Sequence, residues 1–401
     1  MISVEEARNI IAVQAVQWGQ ESVPLSESLG RVLAQDVYAD RDFPPFDRVT
    51  MDGVAIRYED YQAGQREYEV IGTQYAGEEP MALVGSNLCI EIMTGAMLDR
   101  TGDVVIRYED VEFVTLEGKK IARVQDEAAF QWKNVHRQGS DQYMGELLMK
   151  GGQPIHTGTL ALLATVGCQR VEVHTYPRIA VISTGDELVE VGEEPKAYQI
   201  RKSNVVMIEA VLRHLGIECM TYHLTDNKEE LRERLPGILK GFDVLLLSGG
   251  VSKGKADYLP EILEELGVEK KFHKVAQRPG KPFWYGIQEG VSVFAFPGNP
   301  ISAMMCFEVY FLPWMRRLLG LGRDFPFATL TEEVTFKPDL GYFLQVTMKM
   351  VNGEMLAHPQ GGNGSGDLAN LGKSTGFLYL PAGQDIYPKG GRYVFVPFSP
   401  L

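Results

Sequence analysis

The sequence predicts a multidomain protein that combines an α/β unit with β-rich units, and three observations lead to this expectation. A chain of 401 residues leaves room for roughly two to four domains. From Pro177 to about Gly320, apolar strand patterns alternate with helical patterns, which is typical of a mainly parallel sheet covered on both faces. Beyond Arg323 the alternation stops and only strand patterns follow, so we expect a final β domain.

The segment before Pro177 predicts a helix, a β-rich unit and a connecting region. Ser3 and Glu6 have the spacing of a capping box, so a helix is expected over "ARNIIAVQAVQW". "LSESLGRVLAQDVYAD" predicts a second short helix that runs into a strand. From about Phe43 to Val135, short runs rich in Val, Ile and Tyr between turns predict a small β-rich unit. "TGTLALLATVG" then predicts a helix, and "RVEVHTY" predicts a strand.

The α/β unit and the final β domain follow in order. Strands are expected at "RIAVIS", "ECMTYHL", "DVLLLSGG" and "VSVFAFPGNP", and helices at "NVVMIEAVLRHLG", "NKEELRERLPGILKG", "YLPEILEELG" and "ISAMMCFEVYFLPWMRRLLG". The last strands are "EEVTFKP", "YFLQVTMKMV", "GFLYLPAG" and "RYVFVPF".

Charge and composition exclude several classes of function. Lys and Arg total 39 against 53 Asp and Glu, a net charge of -14, so a general nucleic-acid or anionic-membrane surface is not expected. The 4 cysteines are widely spaced and form no C-x-x-C pair, which argues against a disulfide framework or a zinc site. The N-terminus lacks the pattern of a signal peptide, and no apolar run has the length of a membrane span. We therefore expect a cytoplasmic protein that binds any anionic ligand in a local site.

The candidate site residues follow the strands of the α/β unit, where ligands bind in open sheets. After the first strand, Asp186 suits a turn and a ligand-binding role equally well, because aspartate is a common turn residue. Glu187 has no such turn preference, so a ligand-binding role is favoured for it. After the third strand, the paired glycines Gly249 and Gly250 would let backbone N–H groups approach a phosphate. Asp257 suits either the cap of the next helix or a divalent cation.

At two further strand ends, the residues suit the start of a helix, so their presence is explained even without a ligand. Asn299 suits a helix N-cap and Pro300 the first helical position. Asp226, with Glu229, forms the pattern of a capping box, and from the residues alone this capping role is favoured.

One short segment is positively charged in this acidic chain. Lys274, Arg278 and Lys281 lie in "HKVAQRPGKP" with no intervening acid. A solvated basic loop is the ordinary interpretation of such a run. Pro279 and Gly280, however, predict a sharp turn that brings Arg278 and Lys281 together near the strand ends. Together with the glycines and carboxylates, these cations predict a site for a phosphorylated ligand and a second oxyanion.

At this point the motifs resemble a known family. "STGDEL", "SGGVSKGKADY", "RPGKP" and "FPGNP", in this order, resemble the molybdopterin-binding domain. "FPPFDRVTMDGVAI" (43–56), "IMTGAM" (92–97) and "NVHRQGSD" (134–141) are similar to the MoeA family, which includes the C-terminal domain of gephyrin. The resemblance covers nearly the whole chain.

The resemblance implies a fold of four parts. These are a three-layer molybdopterin-binding α/β domain (1–19 and 176–322), a small linking domain (20–42 and 139–175), a β-rich inserted domain (43–138) and a C-terminal β-barrel-like domain (323–401). It also implies an elongated homodimer in which the α/β unit and the partner's β-rich unit form each active site. The implied activity is molybdenum insertion into adenylated molybdopterin from molybdate, with Mg²⁺ as cofactor and AMP released. Other molybdenum cofactor biosynthesis proteins are implied partners.

The family's functional positions are carried over residue by residue. Glu187 and Asp257 match metal and pyrophosphate carboxylates, and the resemblance implies substrate contacts for Thr184, Gly249, Gly250, Ser252, Pro297 and Asn299. The oxyanion pocket is implied for Lys274, Arg278, Lys281 and Ser365, and catalytic roles for Asp52, Thr94, Asp141 and Asp226.

The chain departs from the family pattern at three positions. Arg278 stands where lysine is common, Gln345 where an arginine is expected, and Val54 where tyrosine is common. Both molybdate and tungstate are compatible with this pattern. An adenylyltransferase acting on molybdopterin and a non-catalytic pterin-binding paralogue or scaffold remain the alternative functions.

Overall fold

The computed structural model describes residues 1–14, 19–251, 258–322, 324–361 and 368–398. Within these ranges the strands form three six-stranded sheets and five two-stranded pairs. No helix in the described part of the chain is long and apolar enough to cross a membrane. The multidomain mixture of α/β and β units is thus confirmed, while the exact domain boundaries stay predictions.

The first helix, Val4–Ala12, begins at the predicted capping box. The Ser3 hydroxyl accepts from the Glu6 N–H at 3.1 Å, and the Glu6 carboxylate accepts from the Ser3 N–H at 2.7 Å. Val4 and Ile11 are buried on the face that packs against the α/β unit. The N-terminal helix therefore belongs structurally with the α/β unit, although the two are far apart in sequence.

The second predicted helix is wrong. Only a single 3₁₀ turn forms, Leu25–Glu27, because the Ser28 hydroxyl donates to the Leu25 carbonyl at 2.8 Å and competes with helix continuation. The backbone groups that follow form hydrogen bonds with residues far away in the sequence instead; the Gly30 N–H, for example, donates to the Ile155 carbonyl at 2.8 Å. The surrounding elements are the strand pairs Gln20–Pro24 with Arg170–His174 and Val37–Tyr38 with Leu147–Met149, and the helix Thr157–Thr165.

The predicted β-rich unit is confirmed as a mostly antiparallel six-stranded sheet. Its core contains the alternate residues Val54 and Ile56 with Tyr68 of the strand Glu67–Gln74. Gly53 is required by close packing, since a Cβ there would lie 1.9 Å from the Ile106 carbonyl oxygen. The strand order is Val104–Arg107, Gly53–Ile56, Leu88–Ile92, Glu67–Gln74, Lys119–Val124, Val111–Leu116. The remaining elements here are the helix Tyr58–Gln62, the 3₁₀ turn Tyr108–Asp110 and the pair Arg48–Val49 with Val135–His136.

The α/β unit contains a central six-stranded sheet with the strands β1 (Ile179–Thr184), β2 (Cys219–Leu224), β3 (Val244–Ser248), β4 (Glu269–His273), β5 (Trp284–Gln288) and β6 (Val291–Phe296). Their spatial order is β2-β1-β3-β6-β5-β4. Four neighbouring strands (β2, β1, β3 and β6) are parallel, as predicted, and β5 runs antiparallel to both of its neighbours. The parallel arrangement brings the carboxyl ends of four strands to one edge.

Alternate residues of each central strand enter different cores, which gives the unit three layers. Val181 and Leu246 face a core shared with the helices Ser203–His214, Pro300–Cys306 and Leu312–Leu318. Ile182 and Leu247 face a second core beneath the helices Lys228–Gly241 and Leu259–Glu265. The one long last helix that the sequence predicted is interrupted by a π turn, Phe307–Phe311, just before Pro313, which lacks the N–H of a regular helix.

The final β domain is a closed five-stranded barrel. Its strands are Phe327–Leu330, Gly341–Val351, Glu354–Pro359, Gly376–Leu380 and Arg392–Pro397, and pairing of the second with the fourth completes the closure. A short pair, Val334–Thr335 with Ile386–Tyr387, and the 3₁₀ turn Leu368–Asn370 accompany it. The short strand Gln277–Arg278 adds to Gly341–Val351 in parallel, so the basic segment connects the barrel to the α/β unit.

Candidate active site

A cavity of about 770 Å³ lies beyond the carboxyl ends of β1, β2, β3 and β6. Its walls include the segments that follow each of these strands and the turn Arg278–Lys281. Among the predicted site residues that the structure describes, those lining this cavity are Thr184, Glu187, Asp226, Gly249, Gly250, Arg278, Lys281, Pro297 and Asn299. The structure therefore brings these predicted residues together around one cavity.

The floor of the cavity combines a buried hydroxyl with two glycines. Thr184 is only 4% exposed, and its Oγ1 has no hydrogen-bond partner among the described residues. Gly249 and Gly250 have φ of +102° and +68°, and a Cβ on them would lie 2.7 Å and 3.1 Å from that oxygen. Because a buried unpaired hydroxyl is costly, a polar ligand atom or water is its expected partner.

Two carboxylates line the cavity, Glu187 after β1 and Asp226 after β2. The predicted capping role of Asp226 is wrong: Asn227 is the N-cap, and its Oδ1 accepts from the N–H groups of Glu229 at 2.9 Å and Glu230 at 3.1 Å. The Asp226 N–H donates to Asp186 Oδ1 at 3.3 Å, so Asp186 joins the first two strand ends.

The turn that carries Arg278 and Lys281 is held by a buried amide. Gln277 is fully buried, and its Nε2 donates to the Gly280 carbonyl at 2.8 Å while its Oε1 accepts from the Tyr310 hydroxyl. These bonds fix the turn so that Arg278 and Lys281 both line the cavity. The sharp turn and the convergence of these two cations agree with the sequence prediction.

Lys274 differs from the other cations of the basic segment, because it is not among the residues that line the cavity. It has a positive φ of 79°, and its N–H donates to the Phe283 carbonyl at 2.9 Å. The next residue, Val275, donates its N–H to the Lys281 carbonyl at 3.0 Å, so the pairing continues past Lys274 and the turn beyond it lines the cavity.

A second basic wall was missed by sequence reasoning. Leu188–Val189 pairs in parallel with Ile200–Arg201, and this pairing brings Arg201 and Lys202 to the cavity. Lys202 forms an ion pair with Glu190, and this bond lowers the pKa of the Glu190 carboxyl. The available signal was the dipeptide Arg-Lys directly before the helix Ser203–His214.

Asn299 occupies the predicted N-cap position, but its side chain makes no cap hydrogen bond. Its Oδ1 is buried and has no partner among the described residues. Pro300 at the first helical position needs no N–H partner, so the helix begins without help from the Asn299 side chain. The cavity therefore presents a second unpaired oxygen besides Thr184 Oγ1.

The predicted residues of the β-rich unit do not line this cavity. Thr94 donates to Asp52 Oδ1 from its N–H and its hydroxyl, each at 2.7 Å, and these bonds hold the pKa of the Asp52 carboxyl below its ordinary value. Asp141 Oδ1 lies 2.7 Å from His136 Nε2, whose other ring nitrogen lies 3.2 Å from Arg48. A single chain thus separates these polar groups from the strand-end cavity.

The donor set of the cavity suits a hard cation that also binds substrate phosphates. In the described part of the chain, no three His, Cys, Asp or Glu residues form a ready metal site. Glu187 and Asp226 nevertheless supply two carboxylates at the cavity wall, and Mg²⁺ commonly uses one or two carboxylates with phosphate oxygens. Three predicted site residues, Ser252, Asp257 and Ser365, lie outside the described residues.

The cysteines offer no nucleophile. All four are described and unpaired, and burial raises the pKa of each thiol. A thiol with a raised pKa is a poor source of thiolate at neutral pH. The predicted absence of disulfides is confirmed, and the chemistry of the site rests on cations, carboxylates and backbone amides.

Three family models match successive parts of the chain. They are the MoeA N-terminal region (domain I and II) over residues 2–167, a probable molybdopterin binding domain over 180–317, and the MoeA C-terminal region (domain IV) over 328–397. Together they span the N-terminal units, the strand-end cavity and the barrel.

Relatives match over nearly the full length. A molybdopterin molybdenumtransferase of Synechocystis sp. is 38% identical, with 98% of this chain and 99% of the relative covered. One from Staphylococcus epidermidis is 34% identical, covering 97% of this chain and 94% of the relative. Among solved structures, the molybdopterin biosynthesis MoeA protein from Pyrococcus horikosii is 33% identical, with a TM-score of 0.83 and 100% of both chains covered.

Proposed function

Because this chain belongs to the MoeA family of molybdopterin molybdenumtransferases, and so is a transferase of molybdenum cofactor biosynthesis, we propose that it inserts molybdenum into adenylated molybdopterin. Molybdate and the adenylated pterin are the proposed substrates, Mg²⁺ the proposed cofactor and AMP the proposed leaving product. The observation that carries the proposal is the strand-end cavity, whose lining combines paired glycines and an unpaired buried hydroxyl with the cationic residues Arg201, Lys202, Arg278 and Lys281.

The phosphate groups of the pterin nucleotide are assigned to the floor of the cavity. Gly249 and Gly250 lack side chains where a Cβ would crowd Thr184 Oγ1, so this loop leaves room for a phosphate oxygen to approach its backbone. Ser252 belongs to the same proposed loop. Glu187 and Asp226, with the proposed ligand Asp257, would hold Mg²⁺, which supplies neutralisation and polarisation of the phosphoanhydride when bound.

The molybdate oxyanion is assigned to the opposite wall. Arg278 and Lys281 lie on a turn that Gln277 holds from the buried side, which aims two charged donors into the cavity. Lys274 and Ser365 are proposed members of this pocket. Holding the oxyanion beside the pterin dithiolene makes the transfer effectively intramolecular, so the contribution of the chain is mainly one of proximity and orientation.

A homodimer with shared active sites is part of the proposal. Asp52 and Thr94 of the β-rich unit, and Asp141 just after it, lie outside the cavity of their own chain. We assign them to the cavity of a partner chain. The test mixes Asp52→Asn and Lys281→Ala variants, unfolded and refolded together: random hybrids with one intact site would restore about a quarter of wild-type activity. No recovery in hybrid dimers would place each complete site within a single chain.

The proposed function is tested by AMP release and active cofactor formation from adenylated molybdopterin, molybdate and Mg²⁺. Arg278→Ala and Lys281→Ala should each raise the molybdate concentration for half-maximal formation at least tenfold, because each loses an aimed charge-assisted donor. Lys349→Ala, which removes an exposed cation on the barrel, is the control and should change it little.

The outcomes separate the alternatives. Unchanged molybdate dependence in both variants would remove the turn from the oxyanion pocket. If the variants lose binding of adenylated molybdopterin but keep the wild-type molybdate dependence, the turn binds the phosphates of the pterin nucleotide and not molybdate. Adenylation of molybdopterin by ATP without metal insertion would identify an adenylyltransferase, and pterin binding without any AMP release would identify a non-catalytic paralogue.

A further inference from the structure

The two loops that form the cavity floor separate where β3 and β6 end. The last backbone hydrogen bond between these strands in the described chain runs from Gly249 N–H to Phe296 O at 3.1 Å. Beyond it the loops remain close, since a Cβ on Gly298 would lie 3.5 Å from the Gly249 Cα. The spacing of the loops decides how far the Gly250 backbone lies from the Asn299 side-chain oxygen, and strand pairing no longer sets this spacing.

A single side chain bridges the two strand ends at this point. The Asn204 Nδ2 donates to Ser248 Oγ and to the Gly298 carbonyl, each at 2.8 Å. The Gly298 carbonyl can only accept a hydrogen bond, so the nitrogen of the amide must face it. Asn204 is thus bonded to the end of β3 and to the loop after β6 at the same time.

Asn204 is well placed to keep this bridge rigid. It lies in the first turn of the helix Ser203–His214, whose residues Val205 and Ile208 are buried in the core above the sheet. Ser248, one of its two partners, is itself only 4% exposed. The helix therefore holds the Asn204 amide against the buried Ser248 hydroxyl. The more exposed Gly298 is restrained through its hydrogen bond to the same amide.

We propose that Asn204 is a positioning residue that sets the separation of the Gly249–Gly250 loop and the Pro297–Asn299 loop. This inference rests on the proposed function, because the ligand whose phosphates those loops would fit is adenylated molybdopterin. The amide acts through Ser248 and Gly298 and not through its own contact with the ligand. Its removal loosens both loops before any ligand is present.

The first test measures amide hydrogen exchange in the full-length protein without ligand. Asn204→Ala should accelerate exchange at Gly249, Gly298 and Asn299 about tenfold or more, because two hydrogen bonds that restrain the loops are lost. Exchange in the strand interiors should be unchanged, which shows that the variant is folded. Asn227→Ala, which removes another helix-start amide at the same sheet edge, is the control and should leave the three loop amides unaffected.

The second test is a double-mutant cycle for binding of adenylated molybdopterin. Asn204→Ala should weaken binding about tenfold to a hundredfold, and Ser248→Ala less, since it breaks one of the two bonds. The double variant should bind no worse than Asn204→Ala, because both changes act through the same bridge. Unchanged exchange in Asn204→Ala, or additive losses in the cycle, would overturn the proposal and assign Asn204 a direct ligand contact.

Failure of the proposed function has a separate signature. If the wild-type protein does not bind adenylated molybdopterin, the proposed function fails, whereas the exchange result still decides whether Asn204 restrains the loops.

Discussion

Thr94 donates two hydrogen bonds to one oxygen of Asp52, from its N–H and from its hydroxyl, each at 2.7 Å. These bonds favour the ionised carboxylate and lower the Asp52 pKa. Since folding lowers this pKa, the stabilisation is present above the ordinary aspartate value of about 3.9 and is lost as pH falls through the folded value. Asp52 therefore stays ionised to a lower pH than an ordinary aspartate does.

The first prediction concerns this pair. Thr94→Val keeps the shape and the N–H but removes the hydroxyl donor, so the Asp52 pKa should rise towards its ordinary value. Carboxyl carbon NMR titration measures the change, and the acid limb of the activity profile should move to higher pH. Thr165→Val, which removes a hydroxyl bond on a helix away from the site, serves as the control. An unmoved Asp52 titration in Thr94→Val would contradict the role of the hydroxyl.

The second prediction concerns Gly280 in the turn that carries the two cavity cations. Its φ is +80°, and a Cβ there would lie 2.6 Å from Met305 Cε and 2.8 Å from Cys306 Sγ. Gly280→Ala should cost about 1–2 kcal/mol for the left-handed backbone and roughly 1–3 kcal/mol more for overpacking. Gly290→Ala is the matched control, because φ is +90° and nothing lies within 4 Å. Urea unfolding of both variants checks the difference, and equal losses would show that packing around Gly280 relaxes freely.

The third prediction separates a cap from its neighbour. Asn227→Ala removes the side chain that accepts from two N–H groups at the start of Lys228–Gly241, so unfolding free energy should fall by about 1 kcal/mol. Turnover of the folded variant should stay near the wild-type value. Asp226→Asn keeps that cap but changes a carboxylate at the cavity wall, so turnover should fall and its Mg²⁺ dependence should weaken. Similar turnover losses in both variants would mean that Asp226 acts only through the helix start.

The fourth prediction concerns acid sensitivity beneath the cavity. His223 Nδ1 lies 3.0 Å from Ser183 Oγ, and burial, with the nearby Lys202 charge, lowers the His223 pKa despite the opposing carboxylates Glu190 and Glu230. The stability that depends on neutral His223 is present above pH of about 6.5 and is lost as pH falls through the lowered folded pKa. His223→Asn retains a polar group near the Nδ1 position but does not titrate. The free energy of unfolding, measured with urea from pH 7.5 to about pH 5, should therefore fall less steeply in the variant than in the wild type. Equal pH slopes in the two proteins would exclude His223 as a source of acid sensitivity.

The glycines, prolines and polar residues that follow apolar strands were sufficient to predict one part of the cavity lining at each of the four strand ends. Thr184 ends a parallel strand, Gly249 and Pro297 each lie directly after one, and the carboxyl ends of neighbouring parallel strands meet at one edge of the sheet. Arg201 and Lys202 could not be predicted in the same way. They reach the cavity through the pairing of two short strands, for which the sequence has no strong periodic pattern.

What the sequence alone determined was the class of each unit, because alternation of apolar and polar residues is a property of near neighbours. The capping box at Ser3 and the strand-to-helix rhythm after Pro177 are of this kind, and the structure contains both. The tertiary structure decided which charges share a space. It left Lys274 out of the cavity lining, made Asn227 and not Asp226 the helix cap, and placed Asn204 between two loops. The physical reason is that such contacts join residues far apart in sequence, so their geometry depends on packing of the whole sheet and not on local preference.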